Sequence, residues 1–305
     1  MAKYIKFFKE ISLTDVPLVG GKNASLGEMY QKLAPKGINL PNGFATTAQS
    51  YFYFIEQTGI KAEIEKILAG LDVKNVKDLE KRGVKIRNLF MHVKLPKDFE
   101  EEIIQGYREL SQQCGHQNLI VAVRSSATAE DLPNASFAGQ QESYLNIKGE
   151  KNVLSATKKC IASLFTGRAI VYRVENHFDH MKVAISVGIQ QMVAVRAKAA
   201  GVMFTIDTES GFRNAVVVSS IYGLGENIVQ GRINPDEFTV FKPTLAILKK
   251  RIGTKKLRMI PTLGSRTLNI AVSKKDQEKF SITDEQAKTL AQWGIEVEKH
   301  YGKPM

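Results

Sequence analysis

Hydrophobic positions change rhythm along the chain. Up to about residue 115 they recur mostly at helical spacing. Leu26, Met29, Tyr30 and Leu33 fall at i, i+3, i+4 and i+7, one apolar face of a helix. Residues 50–70, 76–92 and 97–114 alternate apolar and charged positions with the same period. One interruption, LPNGFATT at 40–47, carries Pro and Asn-Gly and predicts a turn into a short strand.

Beyond residue 115 strands dominate. Segments 119–124 and 143–147 read as strands, with a helix over 151–175 marked by Leu154, Ile161, Leu164, Phe165 and Tyr172. Val183, Ile185, Val187 and Ile189 alternate with Ala184, Ser186 and Gly188, which predicts a half-buried strand of period two. GVMFTI (201–206), AVVVSSI (215–221) and EFTVF (237–241) are short apolar runs bounded by turn residues, and so strands. Thr283 with Gln286 three residues on forms a capping box that opens a last helix. Its predicted buried face is Leu290, Trp293, Val297 and Tyr301, and Gly302 and Pro304 stop it. Strands that follow one another without intervening helices favour mixed or antiparallel sheets. The expected class is α+β, with a mainly helical subdomain at 1–115 and a mixed α+β region at 116–305.

Composition narrows the function classes. The chain of 305 residues is 43% hydrophobic, ordinary for a protein with a sizeable core. No segment has the length and apolarity of a membrane span, and the N-terminal residues lack a signal-peptide pattern. Cys114 and Cys160 form no metal or redox spacing, so reduced thiols and a cytoplasmic location are expected. The 43 Lys+Arg against 31 Asp+Glu give a net charge of +12, which favours anionic partners. The densest basic stretch is Lys249, Lys250, Arg251, Lys255, Lys256 and Arg258. It lacks the interleaved aromatics of a single-strand binder and reads as a solvated face or a phosphate-facing one.

Four stretches carry candidate chemistry. VGGKNASLGEM (19–29) sets two glycines and Lys22 at a helix start, an arrangement that holds a phosphate or is simply a turn with a solvated lysine. AVRSSATAEDLPNASFAGQQESYLN (122–146) ends a strand at Arg124, either paired with a bound phosphate or salt-bridged to Glu130 or Asp131. The connection that follows is long and rich in small residues, which is uncommon outside functional or disordered loops. GVMFTIDTESG (201–211) leads a buried strand into Thr205 and Asp207. YGLGENIVQGRINPDEF (222–238) presents Glu226 after two glycines, for a ligand hydroxyl or as a helix cap. His177 and His180 are a zinc-like pair with no further Cys or His to complete a site, so no metal centre is expected.

Together with IEVEKHYGKPM at the end, these segments, in this order, resemble the N-terminal part of the bacterial phosphoenolpyruvate synthases (pyruvate, water dikinases), over nearly the whole chain. The related pyruvate, phosphate dikinases are less similar in these blocks. The resemblance implies an ATP-grasp nucleotide-binding domain with ATP and Mg²⁺ as cofactors. In the family, ATP, pyruvate and water become AMP, phosphoenolpyruvate and phosphate through a phosphohistidine on a separate domain. It further implies that Lys22 contacts the ATP phosphates and that Arg124 stabilises the transferring phosphoryl groups, the two catalytic assignments. The 127–141 loop, with Gly139 and Gln140, would close over the triphosphate. Thr205 would lie near the phosphates, Glu226 near the ribose, and Gln191, Met192 and Val193 at an inter-lobe hinge that meets adenine. The family's Mg²⁺-binding carboxylate belongs to an Asp-x-Glu strand expected beyond Met305. The phosphohistidine and pyruvate domains are likewise not in these residues. The chain by itself is therefore expected to be catalytically incomplete, with ATP as its ligand and pyruvate reached only through domains that a partner chain could supply. A competing reading is a non-catalytic lobe with an exposed sheet edge near Met305. A nucleic-acid binder built on the basic stretch ranks last.

Overall fold

The computed structural model describes residues 4–128, 131–132, 135–136, 142–193 and 198–305. It adopts the expected α+β class, in two compact units that divide between Met192 and Val193.

The first unit runs β1 (Ile5–Phe7), α1 (Val16–Lys32), β2 (Gly43–Thr46), α2 (Ala48–Gln57), α3 (Ile60–Leu68), α4 (Val76–His92), α5 (Lys97–Gln113) and β3 (Ile120–Ala127). It continues with β4 (Asp131–Leu132), β5 (Ala135–Ser136), β6 (Ser143–Lys148), α6 (Glu150–Ala162), α7 (Gly167–Glu175) and β7 (Ile185–Gln191). Its sheet is antiparallel throughout, in the order β1-β2-β7-β3-β6. The expected boundary at 115/116 does not divide the structure, because β1 and β2 of the helical third pair into the sheet completed by β3, β6 and β7. Capping side chains fix the helix starts: Thr47 accepts from Ser50 N, Asn75 from Asp78 N and Thr166 from Ala169 N. Thr166 also explains why the helix expected over 151–175 is two helices, separated by a 3₁₀ turn at Ser163–Phe165.

Both faces of this sheet are covered. Val121, Val123, Ile185, Val187 and Ile189 belong to the large apolar core shared with α2 to α7. The opposite face meets α1, whose Val19 and Ala24 pack with Phe8, Ile11 and Ala45. The half-burial expected for β7 is not what the structure has: the strand is buried on both sides from Ile185 to Gln190. Its alternation is one of size: bulky residues face the core, and Ser186 and Gly188 leave room for the helix.

The second unit has β8 (Ala199–Phe204), β9 (Ala215–Tyr222), α8 (Glu226–Val229), β10 (Asp236–Phe241), β11 (Ile247–Arg251), β12 (Leu257–Thr262), β13 (Arg266–Ala271), α9 (Lys274–Gln277) and α10 (Asp284–Tyr301). One antiparallel sheet runs β11-β10-β9-β8, and β12 and β13 form a separate two-stranded ribbon. The predicted capping box opens α10: Gln286 N donates to Thr283 Oγ1 at 3.2 Å, and Thr283 N donates to Gln286 Oε1 at 2.9 Å. Its deepest face is Ala287, Ala291 and Gly294 rather than the expected Leu290, Trp293, Val297 and Tyr301, which are half-buried. Small residues let the helix lie close on Val216, Val218, Phe238 and Val240, and the larger ones pack at its flanks.

A buried polar knot ties this unit together. Lys255 and Asp236 are both fully buried, and the ammonium donates to Asp236 Oδ1, Gly253 O and Gln277 O. Asp236 also accepts from Gly253 N, Ser281 N and Ser281 Oγ. Every polar atom of the pair is satisfied, so the start of β10, the β11–β12 turn and the approach to α10 are fastened at one point.

Candidate functional site

In the first unit the glycine-lysine segment lies inside α1, which breaks at Gly20 (φ 73°, ψ 160°). That backbone region suits glycine, and a Cβ there would stand 2.3 Å from Ser126 Oγ and 2.7 Å from Ser126 O. The residues after Gly20 are thus a helix restart packed against β3. A restart presents its first N–H groups and a positive dipole end. Lys22 stands in that first turn, exposed. Beside it, Ser126 is 1% exposed and its hydroxyl makes no hydrogen bond among the described residues.

Arg124 departs from its expected place at the end of a strand. It sits in mid-strand, since β3 continues to Ala127 in unbroken pairing with β7. The small residues Ser125, Ser126 and Ala127 still alternate as a strand, which a hydrophobicity pattern does not register. Arg124 pairs with Gly188 of β7, and Ser126 with Ser186. Directly opposed residues share a sheet face, so Arg124 projects on the face that α1 covers, beside Asn23 and exposed to solvent. One surface of the first unit thus carries a helix start, Lys22 and Arg124. Charge-assisted donors so disposed bind a polyanionic group such as phosphate.

Gln191 ends β7 and donates its N–H to Asn42 O at 2.8 Å, and Met192 N donates to Ile120 O at 3.0 Å. Met192 is the last residue of the first unit and Val193, 70% exposed, the first of the second. Gly139 and Gln140 lie outside the described residues.

Thr205, expected near the phosphates, makes its described contacts inside the second unit. It is 2% exposed, and its hydroxyl accepts from Met305 N at 2.8 Å while its own N–H donates to Met305 O at 2.7 Å. The side chain also hydrogen-bonds Glu298 of α10. Thr205 therefore faces α10, and its hydroxyl is spent inside the unit. Burial raises the Glu298 carboxyl, but hydrogen bonds from Lys242 and Thr205 and the Lys242 charge outweigh it and leave the group below its usual value. Asp207 likewise lies low, because Ser210 Oγ at 2.5 Å and Glu209 N at 3.0 Å donate to it in a tight turn. Glu226 is the first residue of α8, half-buried, and accepts from Gln230 Nε2 at 2.5 Å. The sheet face turned away from α10 is open. Phe204, Val217, Thr239, Lys249 and Arg251 line a cavity of about 230 Å³ there.

Two sequence features resolve into structural roles. The basic stretch does not form a continuous stripe: Lys255 is sealed in the knot, Lys250 pairs with Asp284 at 2.9 Å and Arg251 with Glu237 at 2.7 Å. His180 accepts at Nδ1 from Nε of the buried Arg173 at 2.9 Å. Burial first, then the Arg173 charge, push His180 down to about 4, so it serves as a neutral acceptor. Among the described residues no group of three or more His, Cys, Asp or Glu is placed to hold a metal ion. No helix among them is long and apolar enough to cross a membrane.

These features define an α+β domain that carries a basic surface beside a helix start. The family model described as "Pyruvate phosphate dikinase, AMP/ATP-binding domain" matches residues 16–305. The chain belongs to this family. It is similar to the phosphoenolpyruvate synthase of Helicobacter pylori, with 52% identity over 99% of this chain and 38% of that protein. The phosphoenolpyruvate synthase of Aquifex aeolicus is 49% identical over 98% of this chain and 36% of its own length. That of Escherichia coli K12 is 45% identical over 99% and 39%. The chain spans between 36% and 39% of the length of these curated relatives.

Proposed function

We propose that this chain is the ATP-binding portion of a phosphoenolpyruvate synthase, in which ATP, pyruvate and water yield AMP, phosphoenolpyruvate and phosphate through a phosphohistidine carried elsewhere in the longer enzyme. The observation that carries this reading is the gathering of the Gly20 helix restart, Lys22 and Arg124 on one surface of the first unit. Phosphoryl transfer requires positioning and neutralisation of charge rather than covalent chemistry from the protein. Lys22 and Arg124 supply the neutralisation, and the first-turn N–H groups orient the phosphate oxygens. Gln191, Met192 and Val193, at the junction of the units, meet adenine through backbone groups. Glu226 receives a ribose hydroxyl in exchange for its bond to Gln230. Mg²⁺ travels with ATP as the counter-ion of its phosphates.

Titration calorimetry of the chain with Mg·ATP tests the assignment. Lys22→Ala and Arg124→Ala are each expected to weaken binding about tenfold or more, the scale of one charge-assisted contact. Unchanged affinity in both variants would remove this surface from the nucleotide site.

A further inference from the structure

We infer that Asn23 is a positioning residue for Lys22, holding the restarted helix of α1 at a fixed height over β7 and beside Arg124; this rests on the nucleotide-binding reading above. Asn23 is 2% exposed, and its carboxamide spans the break at Gly20. One Nδ2 proton goes to Val19 O at 3.1 Å, the carbonyl just before the break. The other goes to Ser186 Oγ at 2.9 Å on the central strand. Ser186 in turn donates to Thr46 O at 2.5 Å, and Thr46 Oγ1 accepts from Val187 N at 2.9 Å. The carboxamide thus connects both helical pieces to two adjacent strands through groups that are nearly or wholly buried.

The carbonyl end of the same amide rests over Gly188. A Cβ at Gly188 would stand 2.4 Å from Asn23 Oδ1, a separation no real Cβ tolerates. Gly188 is the register partner of Arg124. The Asn23 amide is therefore the piece that sets the spacing between the helix carrying Lys22 and the strand face carrying Arg124. Only asparagine meets the geometry: aspartate lacks both donors, alanine lacks the group, and glutamine places it one methylene too far. Because the break at Gly20 uncouples this helix from Val16–Val19, its first turn is oriented by what Asn23 holds rather than by helical continuity.

The experiment is a double-mutant cycle in Mg·ATP binding, with the full chain and each variant confirmed folded by thermal unfolding. Asn23→Ala is expected to weaken ATP about tenfold in the native background but less than about twofold when Lys22 is already alanine, because coupled neighbours are non-additive. It should also flatten the salt dependence of binding as Lys22→Ala does, a change that loss of packing alone does not cause. Gly188→Ala is expected to weaken ATP in the native background and to add little once Asn23 is alanine, since the clash partner is gone. If Asn23→Ala is unstable at the assay temperature, Asn23→Gln gives the same readout. Equal losses in both Lys22 backgrounds, or no loss from Asn23→Ala while Lys22→Ala is impaired, overturn the positioning role alone. Absence of ATP binding by the native chain overturns the nucleotide reading and this inference with it.

Discussion

Asp236→Asn separates a buried charge from its partner, and its cost follows from the contacts around it. In the native unit the Lys255 ammonium has one carboxylate and two carbonyl acceptors, Gly253 O at 2.9 Å and Gln277 O at 3.3 Å. The substitution removes the carboxylate and turns an NH₂ toward groups that are themselves donors. Removing one partner of a buried pair costs about 3–5 kcal/mol. Lys255→Met is expected to cost less, because Asp236 keeps three donors in Gly253 N, Ser281 N and Ser281 Oγ. Trp293, the single tryptophan of the sequence, lies on α10 and reports the second unit selectively. With a urea slope of about 1–3 kcal/mol/M, the fluorescence midpoint should fall by about 2 M in Asp236→Asn. A surface control, Lys288→Ala, which breaks the exposed pair with Glu285, should cost under about 1 kcal/mol. If Asp236→Asn behaved like that control, the argument that this knot fastens the unit would be wrong.

Gly20→Ala is expected to destabilise the first unit by about 2–4 kcal/mol, combining left-handed backbone strain with the approach to Ser126, and a urea titration followed by far-UV circular dichroism measures it. A cost under about 0.5 kcal/mol would contradict the tight packing of the restart on β3. His180 gives a signed pH dependence. Its folded value near 4 lies below the ordinary 6.5, so the unfolded chain binds more protons in that window. Stability should therefore decline as pH falls from about 6.5 to 4, by roughly 1–2 kcal/mol after allowance for partial exposure. His180→Asn, which keeps an acceptor for Arg173, should remove that part of the slope, and an unchanged slope would assign it elsewhere.

The fold is legible where side-chain size and polarity change together. The helices of the first third, the strands at 215–221 and 237–241 and the Thr283 cap all follow from such signals. Misplacement comes where two properties part company. On β7, small residues face a helix rather than solvent, so an alternation of volume passes for one of burial. On α10, the line of closest approach is Ala287, Ala291 and Gly294, and the bulky residues that catch the eye lie at its flanks. β11 shows in the sequence only as a basic stretch, because an exposed strand rich in lysine and arginine carries little apolar signal. A domain boundary at 115/116 follows the change from helices to strands, but pairing of β1 and β2 with later strands is a long-range fact that local pattern does not encode. Lys22 and Arg124 stand out as residues. Lys22 lies on α1 and Arg124 on the sheet face that α1 covers, where Asn23 meets Gly188, an asparagine inside a helix and a glycine inside a strand whose contact shows only once the two elements are packed.

The two-sided burial of β7 sets how freely its sequence can drift. Toward the core, Val187 and Ile189 sit among other branched aliphatics, where a methyl lost here can be offset by one gained next door. Toward α1, a carbon added at Gly188 presses on Asn23 Oδ1 and a lost oxygen at Ser186 strands Asn23. A library randomised along this strand should therefore accumulate change at every second position and stay fixed at the positions between.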